Sequence, residues 1–355
     1  MMQSIIRPIS IALVLVVVGL AACAPNDADD VPDDVTTHEL LHVGYDIARE
    51  IVSNMNSAFI EQYEAENPDV QVEIEQSHAG STRQARAVAE GLDADLITMN
   101  QYLDIELILD ESRDRAGGLL VAEDWQDRLP NGASPWSSTM AFVVREGNPE
   151  NISDWDDLIR DDVEIVAPNY ATTGNGRFSY LTAWAFALER FDGDQGQTFE
   201  FVRSVVGNTP QFATGGRDAT NLFTERNQGD VLVTFESEAN FIANELGDYE
   251  VVVPSFGINA QAYVATGIVY AEEKGNTEIA EAYWDFVYSR EGQEIAARSY
   301  NRPYDQEVAA EFSDLLPELE LFDVPDVFGG WTEANDAHFG DGGTFEEIIA
   351  SLGRD

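Results

Sequence analysis

The residues best suited to chemistry form the stretch Ala171-Thr172-Thr173-Gly174-Asn175-Gly176-Arg177. It offers two threonine hydroxyls and two glycines between an apolar run at 164–168 and an aromatic, aliphatic stretch at 178–188. The first run reads as a buried strand, and the last has the spacing of a core-facing helix. The free N–H groups of that helix's first turn point back into the loop, with the positive end of the helix dipole behind them. Such a loop cradles an anion. Taken alone, the same residues also make an ordinary Thr/Gly helix cap.

The device recurs. Gln76-Ser77-His78-Ala79-Gly80-Ser81-Thr82-Arg83 is again a strand end, a glycine turn and a helix start, and so is Ala213-Thr214-Gly215-Gly216-Arg217-Asp218-Ala219-Thr220. A fourth junction lies at Tyr45-Asp46. Open α/β sheets place their ligands outside the carboxyl ends of the strands, so four such junctions can meet at one anion cleft.

Other patterns point elsewhere. His38-Glu39-Leu40-Leu41-His42 fits H-E-x-x-H, a zinc-protease signature that needs a helix so that both histidines face one metal. Here it runs into a strand, where residues four apart are separated by about 13 Å. Asp192-Gly193-Asp194-Gln195-Gly196 lacks the full ligand ladder of a calcium loop and reads as a solvated turn. No G-x-S-x-G elbow is present, and the sole cysteine, Cys23, sits in the N-terminal segment, so no nucleophile is visible. The six tryptophans read as packing. No enzyme activity, metal or cofactor is expected.

The elements that must position the junctions alternate. Residues 40–45, 70–75 and 95–100 read as strands, and 47–66 and 81–92 as helices, which favours a mostly parallel sheet flanked by helices. Strands at 138–145 and 249–254 fit neither helix series and read as crossovers between two lobes. Helices at 278–288 and 292–299 return to the first lobe. The expected division is 39–137 with 252–355 as lobe 1 and 138–251 as lobe 2.

A chain of 355 residues favours two domains. Its 66 acidic and 19 basic residues give a net charge of −47, and Lys274 is the only lysine. Such a chain repels nucleic acid and anionic lipid surfaces, and acid excess spread along its length is expected of a protein from brine. Exposed charges are screened beyond about 8 Å at 0.15 M salt, so local N–H donors decide whether an anion binds. Residues 1–22 carry Arg7, a short apolar run and Leu20-Ala21-Ala22-Cys23, which matches a lipoprotein signal with Cys23 acylated. Residues 23–38, rich in aspartate, read as a solvated tether.

Val43-Gly44-Tyr45-Asp46-Ile47-Ala48-Arg49-Glu50, Gln76-Ser77-His78-Ala79-Gly80-Ser81, Thr220-Asn221-Leu222-Phe223-Thr224-Glu225-Arg226, Gly229-Asp230-Val231-Leu232, Glu291-Gly292-Gln293-Glu294-Ile295-Ala296-Ala297 and Val327-Phe328-Gly329-Gly330-Trp331 resemble the sulfate-binding proteins that feed ATP-driven sulfate/thiosulfate importers. The match runs in order from Leu40 to Ile348. It implies a type II periplasmic-binding-protein fold, two α/β lobes joined by crossover strands and closing on a dehydrated tetrahedral dianion, with a permease as partner and a monomeric state. Carried over by position, N–H donors come from Asp46, Ser81, Gly174, Asn175 and Gly216. Thr173 stands for a family serine hydroxyl, and Asn175 for a glycine. Phe235 replaces a tryptophan whose indole N–H donates to the ligand, a loss that weakens sulfate by about one or two powers of ten. A zinc metallohydrolase using His38 and His42, and an anion-sensing surface lipoprotein, are the alternatives.

Overall fold

The computed structural model describes residues 35–354. The signal segment, Cys23 and most of the expected tether lie outside the described residues.

The first sheet has the strand order Tyr263–Thr266, Leu96–Met99, Thr36–Tyr45, Val70–Ala79. Its three N-terminal strands are mutually parallel, and Tyr263–Thr266 runs antiparallel to Leu96–Met99 at the edge. Leu96–Met99 is buried throughout, as expected of a strand covered on both faces. The first strand begins at Thr36, opposite Val70, so three residues expected in the tether belong to the sheet. The acidic run ends at Asp34, and the threonines after it suit a strand.

The second sheet has the order Phe212–Ala213, Ile165–Pro168, Val231–Phe235, Met140–Arg145, Tyr249–Val252. The first three are parallel, and Met140–Arg145 is antiparallel to both of its neighbours. Between the sheets the chain crosses twice. Trp136–Ser138 on the outward passage pairs with Ala260–Gln261 on the return, Ser138 opposite Ala260. The architecture is that of two α/β lobes joined by crossover strands.

Helices Arg49–Glu66 and Thr277–Tyr288 lie on one face of the first sheet, where Tyr283 donates its hydroxyl to Asn56 at 2.7 Å, and Arg290–Arg298 packs against both. The final helices, Trp331–His338 and Thr344–Ser351, go elsewhere. The His338 ring lies 4.7 Å from that of Trp184. The Arg354 guanidinium donates to the carbonyls of Val206, Gly207 and Thr209 at 2.8–3.1 Å. Through these contacts the end of the chain packs beside the helices Gly174–Arg190 and Gln195–Gly207, while Trp331–His338 also touches Tyr102–Ser112. Helix periodicity marks an apolar face without saying which sheet it will cover.

Candidate functional site

Each junction expected to hold an anion is built as a strand running into a helix. Asp46 opens a single 3-10 turn, Asp46–Ala48, after the first strand. Ser81 is the first residue of the helix Ser81–Ala89, Gly174 and Asn175 are the first two of Gly174–Arg190, and Gly216 is the first of Gly216–Thr224. First-turn N–H groups have no acceptor within their own helix. Among the described residues the main-chain N–H groups of Ser81, Gly174, Asn175 and Gly216 donate to no other main-chain or side-chain group, while Tyr45, next to Asp46, is still in the ladder opposite Ala79.

The four helix starts meet. A Cβ on Gly216 would lie 3.0 Å from Ile47 Cγ2, 3.2 Å from Asn175 Nδ2 and 3.6 Å from Asp46 Oδ1, so three of the starts touch around one point. A Cβ on Gly80 would stand 3.5 Å from the Thr214 carbonyl. The fourth start is joined through Asn100: its N–H donates to Ser81 Oγ at 3.1 Å, and its side-chain amide lies where a Cβ on Gly174 would fall.

Glycine at 174 and 176 serves close approach rather than turning. Neither residue has a positive φ, and a Cβ on Gly176 would run into the Asn169 carbonyl. Asn175, in a glycine's place, likewise has no left-handed backbone, and its Nδ2 donates to Thr234 Oγ1 at 3.0 Å, fastening the helix start to the neighbouring strand.

One expected donor is not offered, and the loss expected at Phe235 is seen in its place. Thr173 is the helix N-cap: its Oγ1 accepts from Gly176 N–H at 3.0 Å and donates to the Asn169 carbonyl at 2.8 Å. A hydroxyl has one hydrogen, so the donor expected to be retained here is already spent. Phe235 ends the strand Val231–Phe235, buried, its ring edge-on to Phe178 at 5.7 Å. It supplies an apolar wall and no N–H.

Asp46 and Arg217, at the meeting point, are tied to their neighbours. Asp46 accepts the Ile47 N–H on Oδ1 and the Arg217 N–H on Oδ2, each at 3.0 Å. Arg217 Nη2 lies 2.7 Å from Glu50 and 3.4 Å from Glu238. Burial pushes the Glu238 carboxyl up to about 7 against the pull of Arg217. Arg177 donates to the Ala171 carbonyl at 2.8 Å and to Gln101 Oε1 at 3.3 Å. Arg177 and Arg217 are thus both engaged by the protein's own acceptors.

Sequence reasoning passed over Asn100. It follows Leu96–Met99, a parallel strand of the first sheet, and the rule that drew attention to the other strand ends applies to it equally.

The H-E-x-x-H histidines lie apart in the first strand. His38 Nδ1 is 3.0 Å from Asn276 Oδ1. His42 is buried, 2.8 Å from Thr98 Oγ1 and 3.3 Å from Asn56 Oδ1, and burial pushes its pKa down to about 3. Strand geometry keeps the pair from sharing a metal. Asp194 caps the helix Gln195–Gly207 by accepting the Gln197 N–H at 3.0 Å, an ordinary turn-and-cap role.

Residues 49–300 match the model of the bacterial extracellular solute-binding protein family. The thiosulfate-binding protein of Pseudomonas aeruginosa is 44% identical over 88% of this chain and 92% of its own. The sulfate-binding protein of Escherichia coli is 42% identical over 87% of this chain and 92% of its own. Among solved structures, the sulfate-binding protein SubI from Mycobacterium tuberculosis superposes with a TM-score of 0.74 at 28% identity, over 85% of this chain and all of that one. With helix starts from two crossover-linked lobes meeting at one point, and with relatives this similar along most of its length, the chain belongs to the bacterial extracellular solute-binding proteins, in the group of the sulfate- and thiosulfate-binding proteins.

Proposed function

We propose that this protein captures sulfate or thiosulfate between its lobes, outside the cytoplasm, and delivers it to the membrane permease of an ATP-driven importer. The observation that carries the reading is the meeting of four unspent N–H groups, of Ser81, Gly174, Asn175 and Gly216, beside Asp46, at helix starts drawn from both sheets. Such donors replace a dianion's hydration shell without any cation, each charge-assisted bond contributing about 1.5–3 kcal/mol. Closure excludes water and presents the closed form to the permease. On this reading residues 36–137 with 252–330 make one lobe, and 138–251 with 331–354 the other. Acylation of Cys23 would hold the protein at the membrane, and no helix among the described residues is long and apolar enough to cross it.

Phosphate is expected to be rejected. At neutral pH it usually carries a proton, and a dry pocket of donors leaves that proton unpaired. Both Asp46 carboxylate oxygens already accept protein N–H groups, so they offer it little. Phe235 shifts preference toward thiosulfate, whose terminal sulfur tolerates an apolar neighbour better than a sulfate oxygen does. Calorimetric titration with sulfate, thiosulfate, phosphate and molybdate tests the reading. Heat from sulfate or thiosulfate, and none from phosphate, is expected. A protein silent toward both sulfur anions would end it. Sulfate bound far more tightly than thiosulfate, with no gain on Phe235→Trp, would remove the selectivity argument alone.

A further inference from the structure

Asn100 is 4% exposed, and its Oδ1 has no hydrogen-bond partner. A buried side-chain amide normally finds partners, and one left unpaired at a cleft needs a reason. The position is telling. The amide lies against the Cα of Gly174, at the start of a 17-residue helix whose first two N–H groups are unspent. Its main chain is tied to Ser81, at another of the converging helix starts. Next to it the Gln101 Nε2 is also buried without a partner, although its Oε1 takes a hydrogen from Arg177.

The donor balance at the site is short by two. The Thr173 hydroxyl hydrogen goes to the Asn169 carbonyl, and Phe235 has none to give. A side-chain amide carries two N–H donors on one nitrogen, and a half-turn about its Cβ–Cγ bond exchanges the oxygen for that nitrogen. The unpaired Asn100 amide can therefore turn its donors toward an anion held at the Gly174 helix start.

We propose that Asn100 is a further binding residue of this site, its side-chain amide donating to the bound sulfur oxyanion in place of the hydroxyl and indole donors that Thr173 and Phe235 do not offer. The inference rests on the oxyanion-binding reading of the cleft. The amide needs no backbone movement to act, because Asn100 is already held at Ser81. It also accounts for glycine at 174: a side chain there would drive the amide out of the site.

Calorimetric titration of the whole chain with sodium sulfate and with sodium thiosulfate tests the proposal on two variants, with thermal midpoints measured alongside. Asn100→Ala removes the donors and is expected to raise the sulfate Kd by about tenfold or more, with the midpoint moved by only a few degrees. Asn100→Asp keeps the size, replaces the donor by a negative oxygen, and is expected to raise the Kd by about a hundredfold. Either variant binding sulfate within about threefold of the parent while folded overturns the assignment. If the alanine variant does not fold, the aspartate variant decides. A parent protein that takes neither anion refutes the oxyanion reading itself, whereas a parent that binds beside unaffected variants refutes only the role of Asn100.

Discussion

The carboxylate of Asp46, at the end of the first sheet's first strand, accepts the main-chain N–H of Arg217 at 3.0 Å, in the opening turn of a helix that belongs to the other sheet. One oxygen therefore links the two lobes beside the meeting point of the helix starts. The contact has an electrostatic side and a hydrogen-bonding side, which substitutions separate.

Asp46→Asn keeps an acceptor for Arg217 and removes a negative charge near the proposed anion, so sulfate affinity is expected to hold or to rise by a few-fold. Asp46→Ala loses the interlobe bond and is expected to weaken binding by about tenfold, the scale of one charge-assisted hydrogen bond. Titration of both variants, with solution scattering to follow lobe opening, checks this. An alanine variant as compact and as tight-binding as the parent would count against the link.

Gly176→Ala is expected to destabilise the fold by about 1–3 kcal/mol, because its Cβ would meet the Asn169 carbonyl, and a main-chain oxygen cannot step aside as a side chain can. Denaturant midpoints compared at equal slope provide the measurement, and an unchanged midpoint would contradict the packing described here.

Two buried groups give opposite pH dependences. His42 titrates near 3 in the folded chain and near 6.5 when unfolded, so between those values the unfolded chain takes up a proton that the folded one refuses. Stability is lost as pH falls from 6.5 toward 3, at a slope of at most about 1.4 kcal/mol per unit. Glu238, raised from 4.5 to about 7, acts the other way: its contribution is complete below 4.5 and is lost as pH rises through 7. His42→Gln should flatten the acid side of a stability–pH curve and Glu238→Gln the neutral side. Curves that keep the parent's shape would show that burial does not perturb these groups.

With 66 acidic residues against 19 basic ones, self-repulsion opposes folding at low salt. Raising salt from about 0.1 M to about 1 M shortens the screening length from about 10 Å to about 3 Å. The melting temperature is expected to climb across that range, and one that stays flat would remove the expectation of a brine-adapted chain.

Much of this was legible in the residues. Thr173-Gly174, Gly80-Ser81 and Gly215-Gly216 announce helix starts after short apolar strands because capping and turn chemistry are local, and the structure builds a helix at each. What stayed hidden depends on distant partners. The Thr173 hydroxyl reads as a free donor until the turn at Asn169 brings a carbonyl to it. Asn100 reads as an unremarked strand end until Gly174 arrives against its amide. The helix Trp331–His338 shows its apolar face in the sequence, but only the fold puts His338 on Trp184 rather than on the first sheet.

The first strand starts at Thr36, and residues 24–35 alone separate it from Cys23. Fully stretched, that leash reaches about 45 Å. Thr36 opens a ten-residue strand that ends at Tyr45, just before Asp46, so the strand's amino end and the proposed anion site lie about 30 Å apart. On the proposed reading, acylation of Cys23 would therefore hold the protein at the end of this strand opposite the proposed anion site, leaving that site turned away from the point of attachment.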